Sequence, residues 1–390
     1  MGNCENINLI NQSEGETIFC NIFGSSEDNN NSNKKDNFLS RINNNFSPKK
    51  NNNDNLIKSN LEKKSPKGSY LTLSDYENSV NKKIINYIQN HKLNYQEYYP
   101  SPLNTYKSYP IKFKNGDIYH GNWNIDGQME GYGIYSIKDK NLITEGIWKK
   151  GNIIYGRIFF PNNNIYEGYI KNSLPDGKGI IYFANKEIYR GDFVNGEMTG
   201  KGTYIYADKS YYTGAINNGI FNGEGSMKWI NGTEFHGNFL DSTLSGKGKI
   251  FNDIIGEKYI GNFDKNDFNG YGIYSYNNGD VFEGNFEHGI KKGKGIFKRN
   301  DKVKFEVIWE DDLPNGNGVA TYNKFTLNGL WRNGNIISKE IIKGNMDIFK
   351  EIDLNIKPSK ICLNPSSLPH LNIIDNDVSQ FVIGTELSLV

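Results

Sequence analysis

From about residue 105 to 335 the apolar positions follow a recurring figure. Tyr189, Gly191 and Phe193 alternate with polar residues, and Gly196, Gly200 and Gly202 follow. Tyr212, Gly214, Ile216, Gly219, Gly223 and Gly225 repeat the figure 23 residues later. Internal repetition therefore governs the reading of the chain. An aromatic, a glycine and a bulky apolar residue at offsets 0, 2 and 4 share one face of a strand, because side chains alternate along β structure. A 3.6-residue period would scatter them. The residues between are polar, such as His120 and Asn122, Arg190 and Asp192, or His236 and Asn238. Each Gly-x-Gly leads into an aromatic and β-branched run such as Thr203-Tyr204-Ile205-Tyr206. Turn signals then follow, as at Asn115-Gly116, Asn231-Gly232 and Asn278-Gly279. Asn-Gly between strand-like runs marks a hairpin. The pattern predicts one hairpin per repeat, with hairpins joined edge to edge. The glycine at offset 2 is expected to make room for a ring from a neighbouring strand or repeat.

The register extends to copies from Tyr166, Phe235, Tyr259 and Phe282, with looser copies from Tyr119, Thr144 and Phe305 and a half-copy at Leu327, Gly329, Trp331 and Gly334, about ten in all. The figure YxGxWxxGxxxGxG resembles the MORN repeat (membrane occupation and recognition nexus). The copy from Thr144 loses its last Gly-x-Gly, and Val307 replaces a glycine in the copy from Phe305. Those two are candidate kinks or edges. The resemblance implies an all-β repeat fold, an elongated, twisted single-layer antiparallel sheet used as a scaffold or interaction surface. It does not imply an enzyme, although MORN arrays also occur attached to lipid kinase and methyltransferase domains.

The flanks leave the register. Residues 1–70 are rich in Asn, Ser and Lys and too poor in apolar residues to form a core, so a disordered leader is expected. It begins Met1-Gly2-Asn3-Cys4. Gly2 is placed as a myristoylation acceptor and Cys4 as a second acylation site, although Asn6 stands where the usual pattern has Ser or Thr. Residues 1–33 carry only acidic charge, net −5, and residues 34–67 carry net +6. Within residues 71–102, Ser74 to Glu77 form a capping box, and Val80, Ile84, Tyr87 and Ile88 share a helical face. A helix over 74–93 is expected, either covering the first edge of the sheet or binding a partner. The repeat array occupies 103–335. Residues 336–390 are expected to be a C-terminal cap, a strand laid on the sheet, or a tail.

Composition narrows the function. With charged residues at 23% and a net charge of +1, a general nucleic-acid binder is not expected. Cys4, Cys20 and Cys362 lie too far apart for metal-ligand spacing or a disulfide framework, as in a reducing compartment. No secretory leader or long apolar span is evident. The five histidines are scattered, and Gly196 to Gly202 falls short of a phosphate loop. No catalytic constellation, cofactor, metal or small-molecule substrate is expected.

Two surfaces are candidates. The first is an aromatic face made by Tyr119, Trp123, Tyr166, Tyr189, Phe193, Tyr212, Phe235, Phe239, Tyr259, Phe263, Phe282, Phe286, Trp309 and Trp331, some of which must be internal core. The second is a row of Lys178, Lys201, Lys247 and Lys294 at one repeat offset, facing either plain solvent or an anionic lipid or acidic partner. The expected function is a non-enzymatic scaffold, acylated on the cytoplasmic face of a plasma or inner cortical membrane. It would organise protein partners at the membrane or cortical cytoskeleton, with a homodimer as one open arrangement. The alternatives are a phosphoinositide-binding module, or a regulatory subunit of a separate lipid kinase or methyltransferase.

Overall fold

A computed structural model describes residues 68–72, 75–76, 79–93, 105–344, 352–356, 361, 363 and 365. Gly2, Cys4, Cys20, the basic stretch, Ser74 and Glu77 lie outside the described residues. The described chain forms a 23-stranded antiparallel sheet and one helix. It divides into two compact units, the second beginning at Pro175.

The first unit contains β1 (Ser69–Tyr70), α1 (Lys82–Asn90), β2 (Thr105–Lys107), β3 (Ile111–Lys112), β4 (Ile118–Asn124), β5 (Met129–Ile137), β6 (Leu142–Lys149), β7 (Asn152–Phe159) and β8 (Ile165–Lys171). The second contains nearly all of β9 (Leu174–Tyr182), then β10 (Ile188–Val194), β11 (Glu197–Ile205), β12 (Tyr211–Asn217), β13 (Ile220–Lys228), β14 (Thr233–Leu240), β15 (Thr243–Asn252) and β16 (Glu257–Asp264). It continues through β17 (Asp267–Ser275), β18 (Val281–Glu287), β19 (Ile290–Lys298), β20 (Val303–Glu310), β21 (Leu313–Tyr322), β22 (Phe325–Arg332) and β23 (Asn335–Lys343).

Each repeat is a hairpin. In β10–β11, Tyr189 faces Tyr204, Gly191 faces Gly202 and Phe193 faces Met198, with the register shifting after Gly191. Gly200 at φ +69° takes up that bulge. The hairpin turns at Asn195 (φ +50°) and Gly196 (φ +90°), and both positive φ values match the turn whose twist suits paired strands. Across strands the repeat glycines align, so that Gly191, Gly202, Gly214, Gly225, Gly237 and Gly248 form one unbroken row.

That row explains how one sheet builds a core. The offset-0 ring lies down along its own hairpin, over the paired glycines. A Cβ added at Gly191 would stand 2.2 Å from the Tyr189 hydroxyl, and one at Gly202 would stand 2.3 Å from Tyr189 Cε2. The covering ring is therefore the repeat's own. Rings of the next repeat come close only in places, as Phe263 does at Gly248 (3.2 Å) and Trp309 at Gly295 (3.0 Å). In five repeats, those from Tyr119, Tyr189, Phe235, Tyr259 and Phe282, that ring meets an offset-4 ring edge-on. Tyr259–Phe263 centroids are 5.2 Å apart at 90°, and Phe282–Phe286 are 5.2 Å apart at 88°. The next repeat continues the chain of contacts through Phe235–Phe263 at 5.1 Å and Tyr259–Phe286 at 5.3 Å. Edge-to-face pairs of this kind add about 0.5–1.5 kcal/mol each beyond burial.

The two degenerate copies are not edges. β6, with Thr144, pairs with β5 and β7, and β20, with Val307, pairs with β19 and β21. Val307 is buried and fills the space that a glycine and ring share elsewhere.

The expected helix is interrupted: residues 75, 76 and 79 are helical, and the helix breaks at 80–81 before it resumes. α1 begins at Lys82, where the Asn81 side chain caps it by accepting from the Lys83 N–H at 3.0 Å. It buries Ile85, Tyr87 and Ile88. It lies on a face of the sheet, where Tyr87 packs edge-on against Phe159 at 5.7 Å. Phe159 and Arg157 alternate with Ile158, which pairs with Tyr166, so the helix sits opposite the rings.

Candidate interaction surfaces

The aromatic face is the interior of the repeats. Tyr119, Tyr166, Tyr189, Tyr212, Phe235, Tyr259, Phe282 and Trp331 are fully buried, and Trp123, Phe193, Phe239, Phe263, Phe286 and Trp309 are at most 3% exposed. This corrects the expectation of a presented aromatic surface. Once glycines let the rings lie on the backbone, each ring is covered by its neighbours. Their hydroxyls are satisfied locally, with Tyr189, Tyr212 and Tyr259 donating to the carbonyls of Asp192, Ala215 and Asn262. Burial pushes these phenols well above their usual range.

The opposite face carries the lysines. Lys178, Lys201, Lys247 and Lys294 are exposed. They do not form a continuous ladder. Ala215, Glu224 and Asn238 intervene between Lys201 and Lys247, and Asn262, Tyr271 and Asn285 between Lys247 and Lys294. Four strand spacings separate each of these pairs, about 19 Å at ordinary strand spacing. Lys178 is paired with Asp192 at 2.7 Å, which holds the Asp192 carboxyl below its usual range. Apolar side chains interleave with them: Ile260, Tyr271, Ile273 and Ile308 are 37–52% exposed.

In the first unit a buried polar cluster fastens α1 to this face. Arg157 pairs with Glu167 at 2.6 Å and Glu145 at 3.4 Å, and it donates to the His91 carbonyl at the end of the helix. Tyr132 donates to Glu145 at 2.8 Å. Burial outweighs these partners and pushes the Glu145 carboxyl up to about 7. His120, beside Tyr76, is lowered to about 4, chiefly by burial.

Sequence reasoning missed two features, the buried Lys291 and the buried acids. Lys291 is 2% exposed on the ring side, 3.0 Å from Asp312 and 5.5 Å from the Trp309 ring centroid. Burial lowers its pKa. It stands where other repeats place Met198, Phe221, Leu244 and Phe268, and that break in the apolar period was the available signal. Buried acids just before the repeat aromatic accept from ring-side tyrosines, as Asp117 does from Tyr135, Glu187 from Tyr204 and Glu257 from Tyr274. Residues 353–356 and Leu363 lie on the ring face of the second unit.

Among the described residues no cluster has metal-binding composition, and no helix is long and apolar enough to cross a membrane.

The hairpin with its glycine row and recumbent ring defines a class of β-repeat protein. The chain belongs to the MORN-repeat family, with MORN repeats matched at residues 119–141, 166–187, 189–211, 212–234, 259–281, 282–302 and 308–326. No curated protein matches the chain. Among solved structures it is similar to the TCP10 domain of Danio rerio CPAP, at 14% identity and a TM-score of 0.24, covering 50% of this chain and 85% of that one. The TCP10c domain of Drosophila melanogaster Sas-4 matches at 15% identity and a TM-score of 0.21, covering 43% and 91%.

Proposed function

We propose that this protein is a non-enzymatic, membrane-tethered scaffold whose repeat sheet organises protein partners at a membrane or the cortical cytoskeleton. The observation that carries the reading is the repeat array itself. Its rings are consumed in the interior, and its other face offers lysines interleaved with exposed Ile260, Tyr271, Ile273 and Ile308. Mixed apolar and cationic surface of this kind suits a protein partner beside an anionic leaflet. The Met1-Gly2-Asn3-Cys4 start supplies the tether. A single myristoyl chain binds membranes with an association constant on the order of 10⁴ per molar, so stable residence needs the Cys4 acyl chain as well.

Fractionation of cells expressing wild type, Gly2→Ala and Cys4→Ser tests the tether. Gly2→Ala is expected in the soluble fraction, and Cys4→Ser divided between soluble and membrane fractions. Full membrane recovery of Gly2→Ala would assign residence to the repeats or a partner. A lysine-based phosphoinositide site is the second reading. About 19 Å between Lys201, Lys247 and Lys294 leaves each lysine to meet a headgroup alone, so the unacylated chain is expected to float weakly with phosphoinositide vesicles at physiological salt.

A further inference from the structure

The ring face of the second unit already holds part of the chain itself, residues 353–356 and Leu363. The Trp331 indole N–H donates to the Leu354 carbonyl at 3.0 Å, and Arg299 donates to the Asp353 carbonyl at 2.6 Å. The Ile356 N–H donates to the Gly334 carbonyl at 2.8 Å, and the Asn355 side chain accepts from the Ile336 N–H at 3.2 Å. Leu354 and Ile356 are 4% and 3% exposed, with Asn355 between them. Further along, Leu363 is 3% exposed, and its N–H reaches the Tyr274 hydroxyl at 3.2 Å and Glu257 Oε2 at 3.3 Å.

These contacts have the character of ligand recognition. Main-chain groups are read at several points, and two apolar side chains two residues apart are seated between them, as extended peptides are bound elsewhere. No described strand pairs with the segment in a ladder. Tyr274 donates to Glu257 without help from Leu363, so that end of the site is satisfied when the segment leaves. A segment held by a few side chains and isolated hydrogen bonds opens at lower free energy than the strands beneath it.

We infer that the ring face around Trp331, Gly334, Arg299, Tyr274 and Glu257 is a binding site for an extended apolar-polar-apolar peptide segment, and that the chain's own Leu354-Asn355-Ile356, with Leu363, is its resident, displaceable ligand. A partner bearing such a segment competes with the tail. The inference deepens the scaffold reading by naming a partner class and a means of control. It is independent of the membrane tether.

The test uses full-length protein and a fluorescent peptide of residues 351–366 with Ser for Cys362. In the full chain, Leu354→Asp with Ile356→Asp places carboxylates in buried apolar seats and evicts the tail. By anisotropy the peptide is expected to bind this variant at least tenfold more tightly than wild type, and a peptide carrying the same two aspartates is expected not to bind. Equal binding to both proteins, or binding to neither, overturns the inference. Hydrogen exchange on the wild-type chain decides it even if the variant fails to fold. The amides of Ile356 and Leu363 are expected to exchange at least a hundredfold faster than those of β17, and exchange at the β17 rate overturns the inference. Because the readout needs no membrane, failure here leaves the acylation experiment standing on its own result.

Discussion

Adding one methyl group at Gly202 tests the account of the core. An alanine Cβ there would stand 2.3 Å from Tyr189 Cε2 and 2.7 Å from both Cζ and the hydroxyl oxygen. All three nearest atoms belong to one ring, so the ring must move. Tyr189 is fully buried, and its hydroxyl donates to the carbonyls of Asp192 at 3.0 Å and Thr199 at 3.2 Å. Overpacking of this kind costs about 1–3 kcal/mol, and losing a buried hydroxyl's partners costs about 1 kcal/mol more. The lower entropy of an unfolded chain with Ala in place of Gly returns about 0.4–1 kcal/mol. Gly202→Ala is therefore expected to destabilise by about 1–3 kcal/mol. In a Tyr189→Leu background the three nearest obstructing atoms are gone and the alanine penalty is expected to fall below about 0.5 kcal/mol, a coupling of about 1–2 kcal/mol. Gly214 is the control. A Cβ there meets Gly225 Cα at 2.6 Å and the Glu224 carbonyl oxygen at 2.7 Å as well as the Tyr212 ring, so Tyr212→Leu should not rescue Gly214→Ala. Urea unfolding followed by tryptophan fluorescence gives the midpoints, and matched slopes show that the same unit unfolds in each variant. A neutral Gly202→Ala, or an equal penalty in both backgrounds, would refute the recumbent-ring core.

Three further outcomes follow from the buried charges. Lys291→Met replaces a buried ammonium with the residue type found at Met198, while Asp312 stays 37% exposed and keeps the Lys291 backbone N–H. It should raise stability by about 1 kcal/mol, and a lower melting temperature would show that the pair with Asp312 and the nearby rings outweighs the cost of burying the charge. The Glu145 carboxyl is raised from 4.5 to about 7, so the folded state holds a proton that the unfolded state has released between those values. Wild-type stability should therefore fall as pH rises from about 4.5 to about 7, by up to about 3 kcal/mol from this group. Glu145→Gln should remove that slope, and an unchanged pH profile of urea midpoints would refute the assignment. Arg157→Met strips the cation from Glu145 and Glu167 and should loosen α1 by about 3 kcal/mol or more, seen as early proteolysis within residues 79–93; unchanged cleavage would show that the apolar contacts alone hold the helix.

Much of the fold was legible because a strand hairpin writes a short-range code. The two-residue alternation around Tyr189, Gly191 and Phe193 set the facing, and Asn-Gly dipeptides marked the turns. The aromatic positions were correctly placed on one face, but whether that face was surface or interior was not written in them. The answer depends on a ring lying across glycines on two different strands. The helix was visible in its periodicity, but not the break before Lys82, where Asn81 supplies a fresh cap for α1. Lys291 was hidden because its offset reads as apolar only after Met198, Phe221, Leu244 and Phe268 are aligned with it.

By itself, then, the sequence determined the repeat, the antiparallel hairpin, the twofold facing of side chains and the family. Each depends on spacings within a few residues or on one repeat's likeness to the next. Tertiary structure alone decided which surfaces remain. The helix lies on the sheet face through Arg157 and Tyr87, 66 and 72 residues from their partners His91 and Phe159. Leu363 reaches Tyr274 across 89 residues. Contacts between groups so far apart leave no periodic trace in the chain, because nothing in the intervening residues has to match them.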